Sequence, residues 1–222
     1  MDYSGGLAMI STVIFDLDGL LTDTERLHCQ AWRQTLAGVG VEVSEEEFAD
    51  HWIRTGLGIE DFVRLRGLHH DPEVLRRSKF GVFVTLVETS LCPMPGALAL
   101  IETLHGKKRL ALATSSYREN AELILRRLDL ARYFEAVATN ESVARVKPHP
   151  DLFLHVAERM GVAASECVVL EDAEKGVLAA HAAGMKVIAV PTPHTRGNDF
   201  SKATRVVSSL AEVTLPLLDS LG

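Results

Sequence analysis

Acidic and hydroxyl side chains cluster just after three short apolar runs of this sequence. They are Asp16, Asp18, Thr114, Glu171 and Asp172. If the runs are neighbouring strands of a parallel sheet, their carboxyl ends meet at one edge, where open α/β sheets bind ligands. Two like charges about 4 Å apart repel by about 4 kcal/mol at an effective dielectric constant of 20. Four carboxylates brought together in this way therefore require a cation.

The ligand types favour Mg²⁺ as that cation. Carboxylate oxygens without histidine or cysteine are typical of Mg²⁺, which takes one or two carboxylates together with a substrate phosphate. A carboxylate beside Mg²⁺ can attack phosphorus and form an aspartyl-phosphate. Asp18, two residues after Asp16, can protonate the leaving oxygen and later deprotonate the attacking water. The spacing predicts phosphoryl transfer.

A lysine further along the chain offers a second positive charge. Lys147 precedes Pro148, and Pro150 favours the start of a helix. We therefore expect the Lys147 ammonium to be held as a point charge against a phosphoryl oxygen. Thr114 and the backbone N–H groups of the following turn would supply neutral donors to the same phosphate.

The elements that must position these residues alternate between strand and helix. Short apolar runs without polar alternation are typical of strands buried on both faces. The runs are Thr12–Phe15, Leu110–Ala113, Ala136–Ala138, Val168–Leu170 and Val187–Val190. Apolar residues with helical spacing lie between several of them, as at Ala121, Ile124, Leu125 and Leu128, and at Leu152, Phe153, Val156 and Met160. This order predicts right-handed βαβ units in an α/β fold.

One long stretch interrupts the alternation with helical patterns alone. It ends at the turn signals from Pro93 to Gly96. We expect a helical insert at 27–91 within a core domain formed by 9–26 and 92–222. The charged residues at 76, 77 and 79 predict an exposed helix face.

The motifs, in their order along the chain, resemble those of the haloacid dehalogenase superfamily. They are the stretch Phe15 to Thr24, then Thr114, then Lys147–Pro148, and finally Glu171–Asp172. The resemblance covers nearly the whole chain. It implies a Rossmann-like three-layer core with a parallel sheet, an aspartyl nucleophile and Mg²⁺.

The resemblance also implies a role for each matching residue. Asp16 would be the nucleophile and a metal ligand, and Asp18 the general acid and base, whose carbonyl also binds the metal. The residues that would bind phosphate are Thr114, Ser115 and Lys147. The residues that would complete the metal site are Asp172 and, directly or through water, Glu171. An aspartate two residues after the nucleophile favours phosphate esters over halides, because a halide leaving group needs no proton.

The helical insert resembles the small α-helical cap of the phosphatase and beta-phosphoglucomutase branch. His28 matches a histidine that reaches the active site from the first cap helix of the mutase. The mutase holds a second phosphate with a cap arginine, but Ile59 stands at that position, and Arg54 lies nearby out of register. This favours a phosphatase of small phosphorylated metabolites such as sugar phosphates, with a sugar phosphate mutase as the alternative. His28 and Arg54 are candidate substrate contacts.

A more distant alternative is a phospho-accepting regulatory domain. Such domains also combine acidic residues, Mg²⁺, a serine or threonine and a lysine on an α/β sheet. They predict a much shorter chain without a helical insert, with the accepting aspartate on a middle strand. Asp16 follows the first predicted strand, which argues against this class.

Charge and composition exclude several other partners. The net charge of −7 argues against a nucleic-acid binder, whose surface is expected to be basic. No apolar run approaches the roughly 18 residues of a membrane span. Residues 1–10 lack the basic start of a secretion signal, and Cys29, Cys92 and Cys167 show no metal-finger spacing. We expect a reduced, cytoplasmic protein; the sequence leaves its oligomeric state open.

Overall fold

The chain divides into a sheet-containing core unit and a helical unit. A computed structural model describes residues 9–222, so most of residues 1–10, which lack the basic start of a secretion signal, lies outside the described residues. Among the described residues, the core unit comprises those up to Thr22 and from Pro93 onward, and the helical unit comprises Asp23–Cys92. The predicted insert, 27–91, lies inside the helical unit.

A parallel sheet organises the core unit. Among the described residues its strands are β1 (Thr12–Phe15), β2 (Arg109–Ala113), β3 (Ala136–Ala138), β4 (Cys167–Glu171), β5 (Lys186–Ala189) and β6 (Arg205–Val206). Their order across the sheet is β3-β2-β1-β4-β5-β6, with every pairing parallel. The α/β fold with a parallel Rossmann-like sheet is therefore confirmed. The sequence prediction missed β6, whose residues are both exposed and form no apolar run.

The register of β1 against its neighbours decides which residues meet at the carboxyl edge. Phe15 pairs with Leu112 of β2 and with Leu170 of β4. The next residue, Asp16, donates its backbone N–H to the Leu170 carbonyl at 3.1 Å. Asp16 and Glu171 therefore leave neighbouring strands at the same level.

Helices form the whole of the regular structure in the helical unit, all of whose residues are described. They are α1 (Thr24–Ala37), α2 (Glu45–Phe48), a π-helical segment (Ala49–Arg54), α3 (Ile59–Leu65) and α4 (Pro72–Ser90). Helix α1 packs against α4. An apolar cluster that includes Trp32, Phe48, Phe62 and Leu75 forms the core of this unit.

Lys79 departs from the exposed helix face predicted for it. The residue is only 6% exposed, whereas its neighbour Arg77 is exposed. The Lys79 Nζ atom lies 2.7 Å from Nδ1 of His28 and over the rings of Trp32 and Phe83. A buried ammonium is stabilised here by a hydrogen bond and by aromatic faces. The prediction was wrong at this position.

The remaining helices flank the sheet of the core unit. They are α5 (Ala97–Leu104), α6 (Arg118–Arg127), α7 (Asp151–Met160), α8 (Glu174–Ala182) and α9 (Leu215–Asp219). The predicted apolar face of α7 is buried, and α7 begins directly after Pro150. Side chains of α7 and α8, among them Phe153 and Val177, pack with those of the strands in one apolar cluster. Within residues 9–222, none of the helices has the length and hydrophobicity that a membrane span requires.

Candidate active site

Lys147 joins two of the predicted carboxylates at the carboxyl edge of the sheet. Its Nζ atom donates hydrogen bonds to Asp16 Oδ1 at 2.5 Å, to Glu171 Oε1 at 2.6 Å and to the Ala113 carbonyl at 2.8 Å. An ammonium group has three N–H donors, so these contacts use all of them. The side chains of Lys147, Asp16 and Glu171 are all buried. Their mutual hydrogen bonds offset part of the free-energy cost of burying charge.

The charges in this cluster shift the pKa of each partner. Burial raises the pKa of Asp16 to about 8, and the nearby charges of Glu171 and Asp18 act in the same direction while Lys147 opposes them. Burial lowers the pKa of Lys147, but the charges of Asp16 and Glu171 outweigh this, so the net shift is upward. One ammonium shared by two carboxylates leaves negative charge unbalanced, which favours a retained proton on Asp16.

Asp172 completes an acidic group that can hold a metal ion. One oxygen from each of Asp16, Glu171 and Asp172 lies within 4.8 Å of the others, and all three residues are buried. Hard carboxylate oxygens without nitrogen or sulfur ligands are the donor set that suits Mg²⁺. A divalent cation here would balance the negative charge that Lys147 alone leaves. The residues present therefore fit the expected metal.

Asp18, like Asp16, follows β1. Its carboxylate is contacted by hydroxyl groups. Thr114 Oγ1 donates to Asp18 Oδ2 at 3.2 Å, and Ser116 Oγ donates to the same oxygen at 2.6 Å. The Ser116 backbone N–H donates in turn to Thr114 Oγ1 at 3.0 Å. The loop after β2 therefore fixes the direction of the Asp18 carboxylate. Among the described residues the carboxylate of Asp18 is not part of the acidic group, and its carbonyl contact to metal stays a prediction.

The two serines after Thr114 occupy different surroundings. Ser115, predicted to bind phosphate, has a buried Oγ with no hydrogen-bond partner in the described part of the chain. Ser116, absent from the predicted site, contacts Asp18. The sequence carries no signal that separates these adjacent hydroxyls, because the conformation of the turn decides which one faces the acid.

Gly19 allows the turn that follows Asp18. Its φ of +85° lies in the left-handed region, which favours glycine, and its N–H donates to the Thr22 carbonyl at 2.9 Å. A Cβ at this position would lie 2.5 Å from Asp172 Oδ2. Both the backbone conformation and the space required by Asp172 therefore call for glycine.

The two candidate substrate contacts both belong to the helical unit. His28 lies on α1, where its ring stacks on Phe83 with centroids 4.3 Å apart. Because the Lys79 ammonium donates to Nδ1 of His28, that nitrogen accepts, and a neutral ring carries its proton on Nε2. Arg54 ends the π-helical segment and forms an exposed ion pair with Asp50.

Known proteins resemble this chain over most of its length. A family model described as haloacid dehalogenase-like hydrolase matches residues 10–184. The chain is 36% identical over 179 residues to fructose-1-phosphate phosphatase YqaB of Escherichia coli (strain K12), which covers 80% of this chain and 95% of that protein.

Solved structures show the same similarity in three dimensions. CbbY from Rhodobacter sphaeroides in complex with phosphate has a TM-score of 0.85 at 31% identity, covering 95% of this chain and 100% of that one. A beta-phosphoglucomutase from Clostridium difficile has a TM-score of 0.78 at 25% identity, covering 96% and 97%. The family model spans every acidic, hydroxyl and lysine residue that meets at the sheet edge, and the chain accordingly belongs to the haloacid dehalogenase-like hydrolases.

Proposed function

We propose that the protein is a Mg²⁺-dependent phosphatase of small phosphorylated metabolites, such as sugar phosphates, and works through an aspartyl-phosphate. The observation that carries the proposal is the buried contact of one ammonium with two carboxylates, Lys147 with Asp16 and Glu171. The similarity to a protein named as a fructose-1-phosphate phosphatase supports the substrate class.

Asp16 is the proposed nucleophile. A carboxylate oxygen of Asp16 forms a bond to phosphorus while the bond from phosphorus to the ester oxygen breaks. Water then attacks the phosphorus, phosphate leaves, and the carboxylate is restored. The Lys147 ammonium, 2.5 Å from Asp16, provides fixed positive charge beside the phosphoryl oxygens throughout. Ser115 is a proposed neutral donor to the same phosphate, and so is Thr114 once its one hydroxyl hydrogen turns from Asp18 to the substrate.

Asp18 is the proposed general acid and base. It donates a proton to the leaving oxygen in the first half of the reaction and accepts one from the attacking water in the second. The hydroxyl groups of Thr114 and Ser116 hold its carboxylate in one orientation. A positioned acid of this kind typically contributes a factor of about 10²–10⁴ in rate.

The proposed metal ligands are Asp16, Asp172, the backbone carbonyl of Asp18 and, directly or through water, Glu171. When bound, Mg²⁺ supplies positive charge that stabilises the transferring phosphoryl group. The buried carboxylates fix the location of that charge, and the raised pKa of Asp16 means that metal binding competes with a proton on the nucleophile.

A sugar phosphate mutase is the second candidate, favoured by the structural similarity to beta-phosphoglucomutase. Ile59 speaks against it, because it begins α3 and is 3% exposed within the apolar cluster of the helical unit. A buried isoleucine offers no charge to a second phosphate. His28 and Arg54 are the proposed substrate contacts of this unit, and alanine variants of each should change KM among phosphorylated substrates.

Hydrolysis of p-nitrophenyl phosphate tests the proposal. Activity should require Mg²⁺ and should fall at least about 10³-fold in Asp16→Asn, because a neutral amide is a far weaker nucleophile. Asp129→Asn, which changes an exposed aspartate, is the matched control and should keep full activity. Retained hydrolysis in Asp16→Asn would refute the mechanism. Phosphorus NMR with beta-glucose 1-phosphate separates the candidates, since free phosphate indicates a phosphatase and glucose 6-phosphate a mutase.

A further inference from the structure

Gly176 lies in the first turns of α8, shortly after the acidic pair that ends β4. Its backbone is helical and buried, and its φ is not in the left-handed region. Glycine is among the weakest helix formers, so neither the conformation nor helix stability favours it here. The reason for glycine at this position must lie in the space that a side chain would occupy.

The carboxylate of Glu171 fills that space. A Cβ built at Gly176 would overlap the carboxyl carbon and both oxygens of Glu171. The obstructing atoms are not the far end of an exposed side chain, because Glu171 is 2% exposed. Any residue larger than glycine at 176 therefore requires Glu171 to move.

Several hydrogen bonds hold Glu171 in this position. Its Oε2 atom accepts the backbone N–H groups of Asp172 at 3.1 Å and Ala173 at 3.4 Å. Its Oε1 atom accepts from Lys147 Nζ at 2.6 Å. The bonds to Oε2 hold the carboxylate over the start of α8, and Oε1 contacts Lys147 Nζ.

Lys147 connects Glu171 to Asp16, the proposed nucleophile. Its ammonium donates to Asp16 Oδ1 at 2.5 Å as well as to Glu171. The ammonium of Lys147 and the carboxylates of Asp16 and Glu171 are thus in direct contact and buried. A displacement of Glu171 therefore removes one of the contacts that place Lys147 against Asp16.

We propose that Gly176 is a positioning residue of the active site, because its missing side chain provides the space in which Glu171 holds Lys147 against Asp16. The kinetic part of this proposal rests on the proposed phosphatase function. The structural part, that a side chain at 176 displaces Glu171, does not.

The first test is Gly176→Ala, measured with p-nitrophenyl phosphate and Mg²⁺. We expect kcat to fall at least tenfold while KM changes less than threefold, because the reacting groups are misaligned rather than removed. Gly81→Ala is the matched control, since Gly81 is also helical but has open space around its Cβ position. The control should keep wild-type kcat and should melt at the same or a higher temperature.

A shorter acidic side chain at position 171 distinguishes a positioning role of Gly176 from a general loss of stability. Glu171→Asp withdraws the carboxylate by about one carbon–carbon bond and vacates the volume that a Cβ at 176 would need. Adding Gly176→Ala to Glu171→Asp should therefore lower kcat less than twofold, although it lowers kcat at least tenfold in the wild-type background. An equal loss in both backgrounds would overturn the proposal. If Gly176→Ala alone does not fold, Glu171→Asp should restore a folded protein in the double variant, and a double variant that also fails to fold would overturn the proposal.

A crystal structure of Gly176→Ala tests the proposal without any activity. We expect the contact between Glu171 Oε1 and Lys147 Nζ to be lost, with the carboxylate turned away from α8. An unchanged contact would overturn the proposal, whatever the kinetics. If the wild-type protein hydrolyses no phosphate ester, the proposed function fails, and the displacement of Glu171 still decides the structural part.

Discussion

Lys147 donates a 2.5 Å hydrogen bond to Asp16 in a site where the two side chains are 2% and 9% exposed. Glu171 accepts from the same ammonium, so one positive charge serves two negative ones before Asp172 is counted. This imbalance adds to the effect of burial, the larger cause, in raising the pKa of Asp16. It also makes the cluster a suitable place for a divalent cation.

Removal of the Lys147 charge should strongly destabilise the protein. In Lys147→Met two buried carboxylates lose their cation, and breaking a buried ion pair in this way costs about 3–5 kcal/mol. Urea unfolding of the metal-free protein at pH 8 measures the change in the free energy of unfolding. Lys175→Met, on the exposed side of α8, should change it by less than about 0.5 kcal/mol. Equal stability of the two variants would contradict the assigned role of Lys147.

The raised pKa of Asp16 predicts a pH-dependent stability in the absence of metal. Its value in the folded protein, about 8, lies above the ordinary 3.8, so the folded state binds more protons than the unfolded state between these values. The contribution of Asp16 to the free energy of unfolding must therefore fall as the pH rises from about 4 to about 8. Asp16→Asn removes that contribution.

Chemical denaturation at several pH values in EDTA checks this expectation. Asp16→Asn should be more stable than the wild type at pH 8 by about 1–3 kcal/mol, as expected for relief of a buried charge. The difference should vanish below about pH 4, where the wild-type carboxyl is protonated in the unfolded state as well as in the folded state. A variant that is less stable than the wild type at pH 8 would contradict the raised pKa.

Ser116 should affect the rate of the chemical step through Asp18. Ser116→Ala removes the 2.6 Å hydrogen bond to Asp18 Oδ2 and leaves the longer one from Thr114. Bonds to charged groups contribute about 1.5–3 kcal/mol, so we expect kcat to fall about tenfold with KM nearly unchanged. Ser115→Ala is the informative neighbour, since a phosphate-binding role predicts an increase in KM instead. An unchanged kcat in Ser116→Ala would show that Ser116 has no role in the reaction.

Gly19 and Gly106 offer a matched pair that separates backbone strain from crowding. Both have positive φ, +85° and +75°, but only a Cβ at Gly19 meets Asp172. Alanine in the left-handed region costs about 1–2 kcal/mol, so both substitutions should lower thermal stability. Only Gly19→Ala should also lower kcat/KM, by about tenfold or more, because it displaces Asp172. Equal activity of the two variants would show that Gly19 serves the turn alone.

Apolar runs predicted the sheet well because parallel strands are buried on both faces. The predicted bounds of β1 and β3 agree with the structure, β2 begins one residue before its predicted start, and β4 and β5 each differ by one residue at both ends. The carboxyl ends of β1 and β4 then brought Asp16 and Glu171 together, as expected for a parallel sheet. Strand β6 was not predicted, because its two exposed residues form no apolar run.

Details that depend on side-chain direction were not visible in the sequence. Lys79 follows two arginines on one helix, and only the tertiary contact with His28 and the aromatic rings shows that it is buried. Ser115 and Ser116 are chemically identical, so the turn alone distinguishes them. Gly176 lies in an ordinary helical conformation, and its significance depends on where the carboxylate of Glu171 folds.

The chain leaves the core unit after Thr22 and returns to it at Pro93, and these two points lie side by side. Thr22 and Pro93 form an antiparallel bridge, and the Met94 N–H donates to the Leu21 carbonyl at 2.9 Å. The entropic cost of closing a segment whose ends already meet grows only slowly with its length. We therefore expect segments of different size and sequence between Thr22 and Pro93 to be compatible with the same core unit. The proposed substrate contacts His28 and Arg54 lie within this segment and the proposed catalytic residues lie outside it, so we expect substrate range and reaction chemistry to be changeable independently.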